Sequence, residues 1–158
     1  MAVQTHLKIA GIDGESTRKE HPNEIEVQWW SWGIENTARP GAGGGGRAGK
    51  AVAHELVFTH AYDKASPLLA KSCAKGTHIP TATLSARKAG KGQQDYLIVT
   101  LKDVLVTGVS MSGDGDGTSE SVTLACGAID FVYRPQNARG GLGPGVGFGW
   151  NVKTNKVA

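Results

Sequence analysis

Alternation of apolar and polar positions with a period of two dominates this chain, the pattern of strands that bury one face. In Val3–Ile12, Leu7 and Ile9 are in phase, and Asp13-Gly14 supplies the turn that ends the segment. Glu24–Trp32 reads as one strand, with Ile25, Val27 and Trp29 on one face and Gln28, Trp30 and Trp32 on the other. Leu56, Phe58 and Tyr62 mark a strand over Glu55–Asp63, and His78–Lys88 is a further candidate. Asp95–Met111 has the branched composition that a pleated surface favours.

Asp95–Met111 and a further strand-like segment, Glu120–Arg134, change phase midway. Leu97, Val99 and Leu101 give way to Val104 and Val106 across Lys102-Asp103, and Val122, Leu124 and Cys126 give way to Ile129, Phe131 and Tyr133 across Gly127-Ala128. One inserted residue flips every later side chain to the other face, so a β-bulge is predicted there, of the kind that bends strands in closed sheets. A single helix is marked by Ser66 as cap, Pro67 in the first turn and Gly76 as the left-handed residue past its end. Leu68, Leu69, Ser72 and Cys73 form its expected inner face. The residues therefore predict an all-β barrel or tight sandwich with one helix.

Three glycine-rich stretches interrupt the pattern. Gly113–Gly117 reads as a hairpin tip, and Ala138–Gly149 leads into a last strand through Phe148, Trp150 and Val152. Ile34–Ala53 holds six glycines in twenty residues between two good strands. A structureless loop of that length inside one domain usually serves binding, or else is disordered.

At 158 residues the chain is read as a single domain spanning 1–158. With 20% charged residues it is not a disordered polyelectrolyte. Its longest apolar run, Tyr96-Leu97-Ile98-Val99, is far below a membrane span, so no membrane insertion is expected. Met1–Gly14 alternates instead of forming a continuous apolar stretch, which argues against a secretory signal. The net charge of +3 is scattered, and its densest group, Arg87, Lys88 and Lys91, reads as a solvated strand end and turn; no nucleic-acid partner is expected. Cys73 and Cys126 read as small buried hydrophobes.

Gly44-Gly45-Gly46-Arg47-Ala48-Gly49-Lys50-Ala51 nearly spells a phosphate-binding loop. Ala51 stands where that loop needs a hydroxyl, and Val52–Thr59 reads as strand where it needs a helix. Ser112–Gly117 begins like a calcium loop, but Thr123 cannot supply the closing bidentate carboxylate. The histidines at 6, 21, 54, 60 and 78 include no pair spaced for one helix face, and solvated or singly bonded rings are expected. No cofactor and no metal are expected, and no acid, base and nucleophile converge, so the chain is not read as an enzyme. Trp29-Trp30-Ser31-Trp32 could form a sugar-stacking platform, making a carbohydrate-binding module the alternative. Core is the better account for Trp30 and Trp32, which leaves Trp29 and Ser31 facing outward, where a large aromatic signals a surface covered by another molecule.

Several motifs occur together in one order: Gly14-Glu15-Ser16, Trp30-Ser31-Trp32-Gly33, a glycine-rich loop ending Ala48-Gly49-Lys50, and Asp63-Lys64-Ala65-Ser66-Pro67-Leu68. After Gly76–His78 come Arg87-Lys88-Ala89-Gly90, Tyr96–Lys102 with Asp103-Val104-Leu105-Val106, Tyr133-Arg134-Pro135-Gln136 and Phe148-Gly149-Trp150-Asn151. From the first strand to the end, the chain resembles the Hcp (haemolysin-coregulated protein) family.

The resemblance implies a two-sheet β-barrel with one α-helix, assembling into a hexameric ring. Such rings stack into the ejected inner tube of the bacterial type VI secretion system, with spike and sheath proteins as partners and effector proteins in the lumen. It also implies residence in the bacterial cytoplasm before firing, then export without a signal peptide. On this reading Ser31 and Trp29 are expected to face lumen and cargo. Gly43, Gly44, Gly45, Gly46, Arg47 and Lys50 are expected in a subunit-interface arm.

Overall fold

The computed structural model describes residues 2–38, 49–88 and 94–158. In chain order these form β1 (Val3–Ile9), β2 (Ile25–Val27), β3 (Trp29–Ser31), β4 (Ile34–Asn36), β5 (Ala51–Ala53), β6 (Leu56–Ala61), α1 (Ala65–Lys75), β7 (Ile79–Lys88), β8 (Asp95–Asp114), β9 (Gly117–Ala125), β10 (Ala128–Tyr133), β11 (Val146–Asn151) and β12 (Lys156–Val157). All pairings are antiparallel. One sheet has the order β12-β11-β10-β8-β7-β1-β2, and the second runs β8-β9-β6-β3. The 20-residue β8 belongs to both.

Three crossings carry the chain from one sheet to the other. In β8 the first half pairs with β10 as far as Lys102 and with β7 as far as Val104, and from Leu105 onward it pairs with β9. At this crossing Asp103 takes a left-handed φ of 53°. The buried set shifts there from Val99 and Leu101 to Val104 and Val106, as expected, but no residue is inserted. Ile79 opposite Val104 and Thr81 opposite Lys102 keep one register, so the phase changes by a kink at Asp103, and the register shift of β8 falls later, between Val106 and Gly108. Beside it Gly127 separates β9 from β10, and its N–H donates to the carbonyls of Lys102 (2.8 Å) and Asp103 (3.1 Å). A Cβ at Gly127 would lie 2.7 Å from Lys153 Cε, the movable end of an exposed side chain, and 3.1 Å from Asp103 Cβ, so the two strands pass closely at this corner.

The third crossing corrects the expected single strand Glu24–Trp32. It breaks at Gln28, whose N–H donates to the Thr59 carbonyl (2.8 Å), leaving β2 on β1 and β3 on β6. The break reverses the phase, so Ile25 and Trp30 both turn inward despite opposite parity. Sharing β8 on one side and joined through β2–β3 on the other, the sheets enclose a core that includes Leu7, Phe58, Leu84, Leu101 and Leu124. Among the described residues the hydrogen-bonded ladder does not close into a complete ring.

The helix starts one residue before the expected Ser66 cap. Asp63 Oδ1 accepts from the Ala65 N–H (2.9 Å), Glu15 Oε2 from the Lys64 N–H (2.9 Å), and Ser66 Oγ in turn from the Asp63 N–H (3.1 Å). Two carboxylates therefore satisfy N–H groups around the helix start. Gly76 ends it at φ 65°, as expected. Ala65, Ser66 and Leu69 form the buried face, while Leu68, expected inside, is exposed. The helix packs on β8, and full burial of Leu69 is worth about 2 kcal/mol.

The base of Ile34–Ala53 is not structureless. β4 and β5 pair with Ile34 opposite Ala53 and Asn36 opposite Ala51, forming a two-stranded ribbon. Thr37 Oγ1 extends it by accepting from the Lys50 N–H (2.9 Å). The Gly113–Gly117 tip is a two-residue turn, with Asp114 opposite Gly117. The expected last strand ends at Asn151, one residue short of Val152, and a turn then returns the chain to β12.

Candidate functional site

Strand alternation gives the second sheet two unlike faces. Inward, Trp30, Phe58, Val122 and Val109 stand in one cross-strand row. Outward, the matching rows are Trp29, Thr59, Ser121 and Ser110, then Ser31, Val57, Thr123 and Gly108. Neither outward row contains a charge. Trp29 is 54% exposed, and Ser31 is exposed beside it. These two expected site residues thus share one neutral, hydroxyl-rich surface.

Trp30 and Trp32 are half-buried against the core, and Trp32 lies 4.8 Å from Phe131 between ring centroids. The three tryptophans therefore do not line one face, and the platform that the carbohydrate alternative requires is not formed.

The first sheet leaves part of its inner face bare. Its rows run from Leu101, Ile129 and Trp150, all buried, through Val99, Phe131 and Phe148, to Leu97, Tyr133 and Val146. The second sheet's cover reaches Phe131 through Trp32 and stops. Tyr133 and Val146 are 48% and 69% exposed, and Phe148 is 38% exposed. Away from this strip the ribbon carries two more exposed apolar side chains, Ile34 on β4 and Val52 on β5. Lys50 is exposed at the end of the ribbon. Gly43, Gly44, Gly45, Gly46 and Arg47 lie outside the described residues.

Several polar residues are buried, among them histidines expected to be solvated or singly bonded. His60 Nε2 meets Glu120 Oε1 at 2.8 Å as a direct cross-strand pair inside the barrel, with Asp63 3.7 Å from its other nitrogen. Arg87, expected at a solvated strand end, is 3% exposed; it donates to Asp95 Oδ1 (2.9 Å) and Glu20 Oε2 (3.3 Å). His21 Nδ1 lies 2.8 Å from Glu24, its Nε2 lies 3.0 Å from Asp95, and its ring stacks on His6. Burial alone would raise the Asp95 carboxyl, but hydrogen bonds from Arg87 and His21 outweigh it and hold the group below its ordinary value.

Part of this was legible. His60 is in phase with Leu56 and Phe58, and Glu120 with Val122 and Leu124, so alternation alone places both inside. His6 and Arg87 carry no such signal, because they are outward positions covered by a distant loop.

Among the described residues no three His, Cys, Asp or Glu side chains gather as a metal site, and no helix is long and apolar enough to cross a membrane. Burial pushes the Cys126 thiol up to about 11, which keeps it in the unreactive protonated form. The residues after Lys50 are strand, so no helix N-terminus follows the phosphate-loop-like sequence.

The family model described as type VI secretion system effector, Hcp, matches residues 6–133. The chain is 45% identical to protein hcp1 of Pseudomonas aeruginosa over 162 aligned residues, covering all of both sequences. Among solved structures, Hcp1 from Salmonella typhimurium is similar with a TM-score of 0.81 and 40% identity across the full length of both chains. A further structure, of a type six secretion system protein, reaches a TM-score of 0.93 at 30% identity, covering 99% of this chain and all of that one. Sheet order, the single helix and the full-length match agree: the chain belongs to the Hcp family of type VI secretion system proteins.

Proposed function

We propose that this protein is an architectural tube subunit, not a catalyst. Copies of it close into a hexameric ring, and rings stack into the inner tube of the secretion system, beneath the spike and inside the sheath. The observation carrying this reading is that apolar side chains are left uncovered at two separate places on one protomer, the Tyr133-Val146-Phe148 strip and the β4–β5 ribbon, which exposes Ile34 on one face and Val52 on the other. Unlike patches that fit each other make a heterologous contact, which closes into a ring when the rotation per copy allows. In this arrangement the arm bearing Gly43, Gly44, Gly45, Gly46, Arg47 and Lys50 lies over the joint. The neutral face with Trp29 and Ser31 lines the lumen and contacts effector proteins. The subunit waits in the bacterial cytoplasm and leaves through the machine it builds.

Light scattering on the purified protein tests this: about six copies per particle are expected, and a strict monomer at high concentration overturns it. Val146→Asp, which adds a charge to an exposed position, is expected to give folded monomers. An intact ring in that variant would remove the strip from the joint.

A further inference from the structure

We propose that the loop of residues 13–24 is an acid-released clasp, held over the outer face of the first sheet by the stacked pair His6 and His21 while the buried His6 ring is neutral. The loop is a small hairpin of its own: the Gly14 N–H donates to the Asn23 carbonyl, and the Asn23 N–H donates to the Ser16 carbonyl, both at 2.8 Å. Side chains hold it to the barrel. His21 Nδ1 meets Glu24 Oε2 at 2.8 Å, and Nε2 meets both Asp95 oxygens at 3.0 and 3.1 Å. Carboxylate oxygens thus flank both ring nitrogens of His21, and this one ring ties the loop to Glu24 and to Asp95 on β8.

His6, on β1, stacks on that ring with centroids 4.8 Å apart and planes 7° apart. It is 2% exposed, and its Nδ1 has no hydrogen-bond partner. A second proton there would face His21 and Arg18 from the loop and Arg87 from β7. The nearby carboxylates are already engaged: Glu24 by His21, and Asp95 by His21 and Arg87. Glu26, opposite His6 across β2, is exposed to solvent, which screens it. Burial, then the His21, Arg87 and Arg18 charges, push His6 down to about 4.

The sign follows. A base that resists protonation only in the closed form favours closure above pH 6.5, its ordinary value, and favours opening as pH falls from 6.5 toward 4. Opening would bare Arg87 and the outer face of β1.

Hydrogen exchange read by mass spectrometry, corrected for the intrinsic rate at each pH, tests the clasp on the assembled protein. Between pH 6.5 and 4.5 the 13–24 segment is expected to lose protection about tenfold or more while β8 keeps its own. His6→Gln and His6→Phe, the latter retaining the stack, are expected to stay within about twofold over the same range. No loss in the wild type overturns the proposal. So does an equal loss in both variants, which would assign the sensing to carboxylates, or loss across β8 at the same pH, which would be global unfolding.

Discussion

At the scale of single residues, the informative positions are polar ones inside. His60 and Glu120 face each other across β6 and β9 with side-chain exposures of 0% and 1%. Removing one partner strands the other away from water, which costs more than the pair contributes as a whole. Glu120→Ala is therefore expected to lower stability by about 3 kcal/mol, read from a shifted midpoint in urea unfolding with unchanged slope. A loss below about 0.5 kcal/mol would mean that His60 finds water or another partner. Both residues were visible in the alternation: the expectation of a solvated or singly bonded ring came from chemical type, His60 takes the second form, and phase was the guide to its burial. Arg87 is the reverse case. Its outward parity was right, and it is still buried, because Glu20 and His21 arrive from a loop about 67 residues away in sequence.

Among elements, the 13–24 loop shows how a short motif acts through packing. Gly14-Glu15-Ser16 is a structural joint: Ser16 and Asn23 bridge the loop, and Glu15 satisfies the N–H of Lys64 at the start of α1. Gly14 fits because a Cβ there would lie 2.5 Å from the Glu24 carbonyl oxygen and 2.7 Å from Ile25 Cα. Both obstacles are backbone and cannot swing away. Gly14→Ala is expected to cost about 2 kcal/mol or more, and to raise hydrogen exchange across the loop and the first turn of α1 before the barrel strands. Uniform exchange through the whole chain would show that the loop does not act as a separate unit. The ribbon gives the same lesson from another side. Ile34–Asn36 and Ala51–Ala53 are too short to announce themselves as strands, and only their pairing across the intervening chain makes them so.

For the whole molecule, the decisive contrast is between the neutral outer face of the second sheet and the charged outer face of the first. The second presents Ser, Thr, Gly and Val around Trp29, and the first carries the Arg87–Asp95–His21 network. A surface whose central rows carry no charge, with Glu55 only at its edge on the Thr107 hydroxyl (3.1 Å), can pass or hold a partner without fixed electrostatic registration, as the proposed lumen requires. Ser31→Arg is expected to abolish effector co-purification while leaving particle size unchanged by light scattering, because a desolvated unpaired cation disfavours the contact. Unaltered co-purification would put the lumen on another face, and a smaller particle would move Ser31 into the joint between copies.

The sequence by itself determined the strand content, the helix with its glycine end, the hairpin tip and the corner where β8 and β9–β10 change sheet. Each of these is written in local periodicity or in one residue's permitted backbone angles. The tertiary structure alone decided that Glu24–Trp32 breaks at Gln28, that the long glycine-rich stretch begins and ends as a ribbon, and which outward residues are covered. Those outcomes depend on partners dozens of residues away: a strand edge is satisfied by whichever segment pairs with it, and an outward side chain is buried only when a distant loop folds over it.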